Sequence, residues 1–195
     1  MATSRSLTLA DVAAPRAGVL GNVLWIVGAT LVTALAAQAS FRLPGTPVPI
    51  TGQTFAVLLT GAVLGSRRGA LAMLAYLAEG AAGLPVFAEL SGGAHVFAGP
   101  TAGYLAAFPL AAFVTGALAE RGWDRRFASM VAAMLLGSSV IFALGLTVLS
   151  RFVPADALLQ TGLLPFVPGD LVKSSLAAIA FPGAWSLVRR SGGRA

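Results

Sequence analysis

Pro168-Gly169-Asp170-Leu171-Val172-Lys173 opens a stretch that carries no charge from Ser174 to Val188. A helix needs about 20 mostly apolar residues to cross a bilayer, so the run reads as a membrane span with an acid and a base in its first turn. Three residues apart on a helix, Asp170 and Lys173 share one face. Ionisable groups at membrane depth are costly and read by default as a functional site, each here the other's candidate partner. The structural alternative is an interfacial pair, with Asp170 favoured by the helix dipole and Lys173 snorkelling outward. On the functional reading, the pair offers an acceptor and donors together, to a small ligand bearing both N–H groups and a carbonyl.

Composition supports the membrane reading. Of 195 residues, 57% are hydrophobic and only 10% charged, and mean hydropathy is +0.85; soluble domains carry about 25% charged residues. So few charges cannot cover a water-soluble surface, and the length suits one domain, 1–195. With no cysteine and His95 as the single histidine, metal centres and cysteine chemistry drop out, and no cofactor is expected. Gly137-Ser138-Ser139 has no second histidine to activate it, and neither Gly-x-Ser-x-Gly nor a nucleotide-binding Gly-x-x-x-x-Gly-Lys-Ser/Thr occurs. Enzymatic turnover and intrinsic ATP hydrolysis are therefore not expected.

Uncharged runs between arginines predict an all-α integral membrane protein with six helices, near 20–39, 53–65, 69–80, 100–119, 127–150 and 169–188. Pro44, Gly45, Pro47, Pro49 and Gly52 deny helix to the segment before the second, which is short for a span. The third is equally short and joins the second through Ser66-Arg67-Arg68. Met1–Arg16 is polar with two arginines, and the apolar run after it exceeds a signal core, so it is expected to remain as a span. Arg5, Arg16, Arg67, Arg68, Arg121, Arg125, Arg126, Arg189, Arg190 and Arg194 fall on one side, and only Arg42 and Arg151 on the other. The positive-inside rule makes the first side cytoplasmic, with both termini there, and the expected location is the bacterial cytoplasmic (inner) membrane. These arginines mark segment ends and form no basic face, so nucleic acid is not an expected partner.

That orientation gathers the three proline- and glycine-rich connections outside and brings polar groups of several helices to one depth beneath them, implying an outward-facing pocket. Thr51 and Gln53 open the second helix either as a polar helix end aimed at a substrate or, for Thr51, as an N-cap. Tyr76 and Tyr104 are either pocket walls or aromatic-belt residues. Glu79 faces either the pocket or the outer interface. Phe87 and Phe97 either close over an apolar ligand or anchor their loop, and His95 between them reads as exposed. Ala29, Thr33 and Ala37 form a small-residue stripe that either packs internally or docks another membrane protein.

Four ordered motifs, TPVPITGQTFAVLL (46–59), GAAGLPVFA (80–88), GPTAGYL (99–105) and PFVPGDLVK (165–173), resemble the BioY family of biotin transporters. Members are the substrate-binding S components of energy-coupling-factor (ECF) transporters. The resemblance runs from Thr46 to the last helix and is weak in the first helix and the tails. It implies a six-helix S-component fold, biotin capture from outside, and coupling to a transmembrane T component with two ATPases, or action without that motor, including as a homo-oligomer. It carries an Asp-x-x-Lys ligand motif onto Asp170 and Lys173. Biotin's ureido ring would then give its N–H groups to Asp170 and its carbonyl to Lys173, with Phe87, Phe97 or Tyr104 along the apolar body. Gln53, Tyr76 or backbone N–H groups would meet the carboxylate, unless the two ends are reversed. Glu79 departs from the apolar residue expected there, and Thr33 interrupts the Ala-x-x-x-Ala docking pattern. Capture of another small vitamin, and ligand sensing, are the competing readings.

Overall fold

The computed structural model of the chain describes residues 7–15 and 18–192, with the side chains of residues 189–192 outside that set. Met1–Ser6, Arg16 and Arg194 lie outside the described residues, as do the side chains of Arg189 and Arg190; all five arginines contributed to the expected orientation.

A short helix α1 (Leu9–Ala13) begins in a capping box: the Thr8 hydroxyl accepts from the Asp11 amide, and the Asp11 carboxylate accepts from the Thr8 amide. Helix α2 (Val19–Gln38) ends in an extended segment where Pro44, Pro47 and Pro49 prevent helix. The flanks of that segment pair instead, β1 (Ser40–Phe41) antiparallel to β2 (Ile50–Thr51), a small departure from an all-α chain. Helix α3 (Gln53–Leu64) comes immediately after.

The expected turn over Ser66-Arg67-Arg68 is helical, because α4 (Ser66–Ala81) starts at Ser66. Gly65 reverses the chain alone, with φ 86°, a conformation that a Cβ disfavours. The Glu120 carboxylate caps the new helix, accepting from the Ser66 amide at 2.8 Å and the Ser66 hydroxyl at 2.9 Å. Helix α5 (Ala102–Ala119) is the central element and packs against α3, α4 and α6 (Phe127–Leu149). After α7 (Leu158–Gly162), α8 (Val167–Gly192) is longer at both ends than expected and lies against α6 and α3.

Four stretches are long and apolar enough to cross a membrane: Val19–Gln38, Ala102–Ala119, Phe127–Leu149 and Leu158–Val188. Helix α3 is apolar but has only 12 residues. Leu20, Leu24, Leu31 and Leu35 of α2, Leu71 and Leu74 of α4, and Leu176 and Ile179 of α8 point outward. Such an apolar exterior suits lipid rather than water. Residues of the long connections after α2, α4 and α6 meet at one end of the bundle, and Arg67, Arg68 and Glu120 meet at the other.

Candidate functional site

At the end carrying the long connections, the bundle encloses a cavity of about 500 Å³. That lies within the roughly 300–1,000 Å³ typical of small-ligand sites. Its inner polar wall includes Thr51, Gln53, Thr54, Asp170 and Lys173, with Arg42 and Glu89 also on the lining, and its apolar wall includes Phe87, Tyr104, Phe108, Phe142 and Phe166.

The polar wall forms where two helices begin. Lys173, in the second turn of α8, reaches across to the start of α3, where its ammonium donates to the Thr51 carbonyl at 2.9 Å and the Thr54 hydroxyl at 3.3 Å. An ammonium has three donors, so one remains for a ligand. Asp170, in the first turn of α8, is only 8% exposed, lines the same cavity and has the Ser138 hydroxyl of α6 beside it. The two side chains share a helix face but form no ion pair, because Lys173 extends away to α3. This alters the sequence expectation that each is the other's partner.

Gln53 is held from both sides. Its amide nitrogen donates to the Tyr76 hydroxyl at 2.6 Å, which in turn donates to the Val86 carbonyl at 2.7 Å. The Thr51 hydroxyl donates to the Gln53 side-chain carbonyl and accepts from the Gln53 amide, a local cap on α3 whose N-cap position is Gly52. Tyr76 is fully buried and does not line the cavity, so it acts here on Gln53 and on the loop after α4. Tyr104 does line it, and its hydroxyl is fixed by the Gly162 carbonyl at 2.8 Å.

The loop after α4 covers one side. Phe87 lies directly on the backbone of Gly80, where a Cβ would come within 2.0 Å of the ring, and meets Tyr76 and Phe97 edge to face. Phe87 lines the cavity; Phe97 stands behind it, and His95 is exposed outside. Glu79, half-buried near the end of α4, is not on the cavity wall.

Ala29, Thr33 and Ala37 turn inward. Thr33 and Ala37 are 0% exposed on the side of α2 that packs against α3 and α4, and the Thr33 hydroxyl donates to the Ala29 carbonyl. In this packing Thr33 and Ala37 lie in an internal seam, where small side chains let the helices approach closely, and Ala29 stays half-buried.

Sequence reasoning did not single out Thr54, Arg42, Glu89, Phe108, Phe142 or Phe166 for the site. Arg42 had a signal, as one of two cations on its side, and Phe166 stood within the PFVPGDLVK motif. At the cavity mouth, Arg42 forks onto Glu89 through Nε at 2.5 Å and Nη2 at 2.6 Å. That hydrogen bond holds the Glu89 carboxyl below its ordinary range and raises Arg42.

Residues 6–190 match the family profile described as "BioY family". The chain is 43% identical over 156 residues to a "Biotin transporter BioY" of Thermotoga maritima, covering 79% of this chain and 91% of that one. It is 45% identical over 159 residues to a protein of the same description in Rhodobacter capsulatus, covering 74% and 82%. Among solved structures, a crystal structure of the S-component for biotin from an ECF-type ABC transporter superposes with TM-score 0.72 at 25% identity, over 90% of this chain and 93% of that one. A profile match across nearly all of the chain, relatives alike over most of their length, and a shared architecture lead to one assignment: the chain belongs to the BioY family.

Proposed function

We propose that this protein binds biotin in the cavity between α3, α5 and α8 and serves as the substrate-specificity component of an ECF-type uptake system. The observation that carries the reading is the polar wall, where Asp170 and a spare Lys173 donor lie opposite aromatic side chains. Biotin pairs a ureido ring, two N–H donors and one carbonyl, with an apolar ring and chain. Asp170 accepts from the N–H groups, Lys173 donates to the carbonyl, and Tyr104 and Phe87 flank the apolar body. The relatives are biotin transporters rather than enzymes, and the structural neighbour is a component of an ECF transporter, which supports a T component and ATPases as partners.

The reading extends to topology. Helices α2, α3, α4, α5, α6 and α8 all cross the membrane, the 12-residue α3 and the 16-residue α4 included, and both termini are cytoplasmic. Arg67, Arg68, Arg121, Arg125 and Arg126 at the end opposite the cavity support this by the positive-inside rule. The cavity then opens outward, as capture from outside requires.

Calorimetry of the detergent-purified protein with biotin, desthiobiotin and thiamine tests the substrate. Saturable binding of biotin, weaker binding of desthiobiotin and none of thiamine is expected. Thiamine binding in place of biotin would replace the substrate assignment, and no binding of any of the three would reject ligand capture.

A further inference from the structure

Arg42 is the one cation besides Lys173 on the cavity wall among the described residues, and the two occupy different settings. Lys173 is bonded inside, to the start of α3, whereas the Arg42 side chain is 70% exposed at the mouth. Of the groups expected to meet a ligand carboxylate, Tyr76 is off the wall, and Gln53 already donates to Tyr76 and accepts from Thr51. Both are neutral. Arg42 carries a full charge, and Glu89 engages only its Nε and Nη2. Its Nη1 donors make no bond within the described residues.

Glu89 is itself a carboxylate seated on a guanidinium fork at the edge of the site. It is held there in a strained turn: Glu89 and Leu90 have consecutive φ values of 59° and 54°, a left-handed conformation unfavourable for residues with a Cβ. The Leu90 amide donates to the Gln38 side-chain carbonyl, so the turn is braced from α2 as well.

We propose that Arg42 is the residue that recognises the ligand's carboxylate, and that Glu89 is a built-in stand-in for that carboxylate, giving up part of the fork when the ligand arrives. This inference rests on the biotin reading and deepens it. With the ureido ring held by Asp170 and Lys173, the valerate tail runs along the aromatic wall to the mouth and ends on Arg42. The arrangement selects an acid over its neutral amide, since a bidentate guanidinium–carboxylate contact is charge-assisted and geometrically specific. It also fixes the direction in which the ligand lies.

The test is calorimetry of the full-length protein with biotin and with biotin amide, for wild type, Arg42→Ala, Arg42→Lys, Glu89→Gln and the control Arg151→Ala. Arg42→Ala is expected to weaken biotin about tenfold or more while leaving the amide unchanged, and Arg42→Lys to lie between. Glu89→Gln, which removes the competing carboxylate, is expected to tighten biotin by about two- to fivefold and not the amide. Arg151→Ala changes neither. Equal losses for both ligands in Arg42→Ala, an unchanged biotin affinity, or weaker biotin binding in Glu89→Gln would overturn the inference with the substrate assignment intact. Failure of the wild type to bind biotin would defeat both together.

Discussion

Buried polar side chains without alternatives locate the sensitive points of this molecule. Trp185 donates its indole N–H to the buried Asp124 carboxylate at 2.6 Å, and the Arg125 guanidinium stacks 4.5 Å from the Trp185 ring centroid. The other Asp124 oxygen has no partner among the described residues. Trp185→Phe would strand the whole carboxylate, and a loss of about 1–3 kcal/mol is expected, read as a lower thermal midpoint in detergent. Burial raises the Asp124 carboxyl above its ordinary range, so the folded protein binds that proton more tightly than the unfolded chain. Its contribution therefore falls as pH rises from the unfolded value of 3.8 through the raised folded one. Asp124→Asn keeps an acceptor for Trp185 and carries no charge; it is expected to remove that slope, and unfolding measured across the acidic range checks it. Asp170 and Lys173 were legible in sequence because charges are rare in spans. The Thr51 carbonyl that receives Lys173 was not, since it is a backbone group 122 residues away. The Arg42–Glu89 fork was equally hidden, joining two connections 47 residues apart.

Among the elements, the loop after α4 forms one side of the cavity. Phe87 rests on Gly80, and Tyr76 holds Val86 and Gln53 at once, so one residue couples the loop to the polar wall. Gly80→Ala is expected to push Phe87 from its seat and weaken ligand binding, with the helix itself little affected. Binding calorimetry beside a helical circular-dichroism signal separates the two effects; an unchanged affinity would show that Phe87 does not shape the site. Helix positions were readable from uncharged runs and from prolines, whereas the start of α4 was not. The basic Ser66-Arg67-Arg68 looks like a connection, but Gly65 makes the reversal alone and Glu120, distant in sequence, caps the first turn of α4. Phe108 and Phe142 resemble any other span aromatics until the packing of α5 and α6 turns them onto the cavity.

At the scale of the whole molecule, charge and shape are polarised along the same axis. The cavity and long connections occupy one end and the short basic turns the other. With no cysteine in the chain, single cysteines report sidedness without background. In intact cells an impermeant maleimide is expected to label Asp156→Cys, and to label Arg121→Cys only after permeabilisation; the reverse pattern would invert the proposed orientation. The chemistry proposed for the cavity is that Asp170 and Lys173 hold the ureido ring of biotin. The most direct measurement is the biotin affinity of purified Asp170→Asn and Lys173→Ala, each shown to unfold at the wild-type temperature. Losing one hydrogen bond to a buried charged group and leaving its partner unsatisfied predicts weakening of about tenfold to a hundredfold in each. Near wild-type affinity in both folded variants would contradict the account.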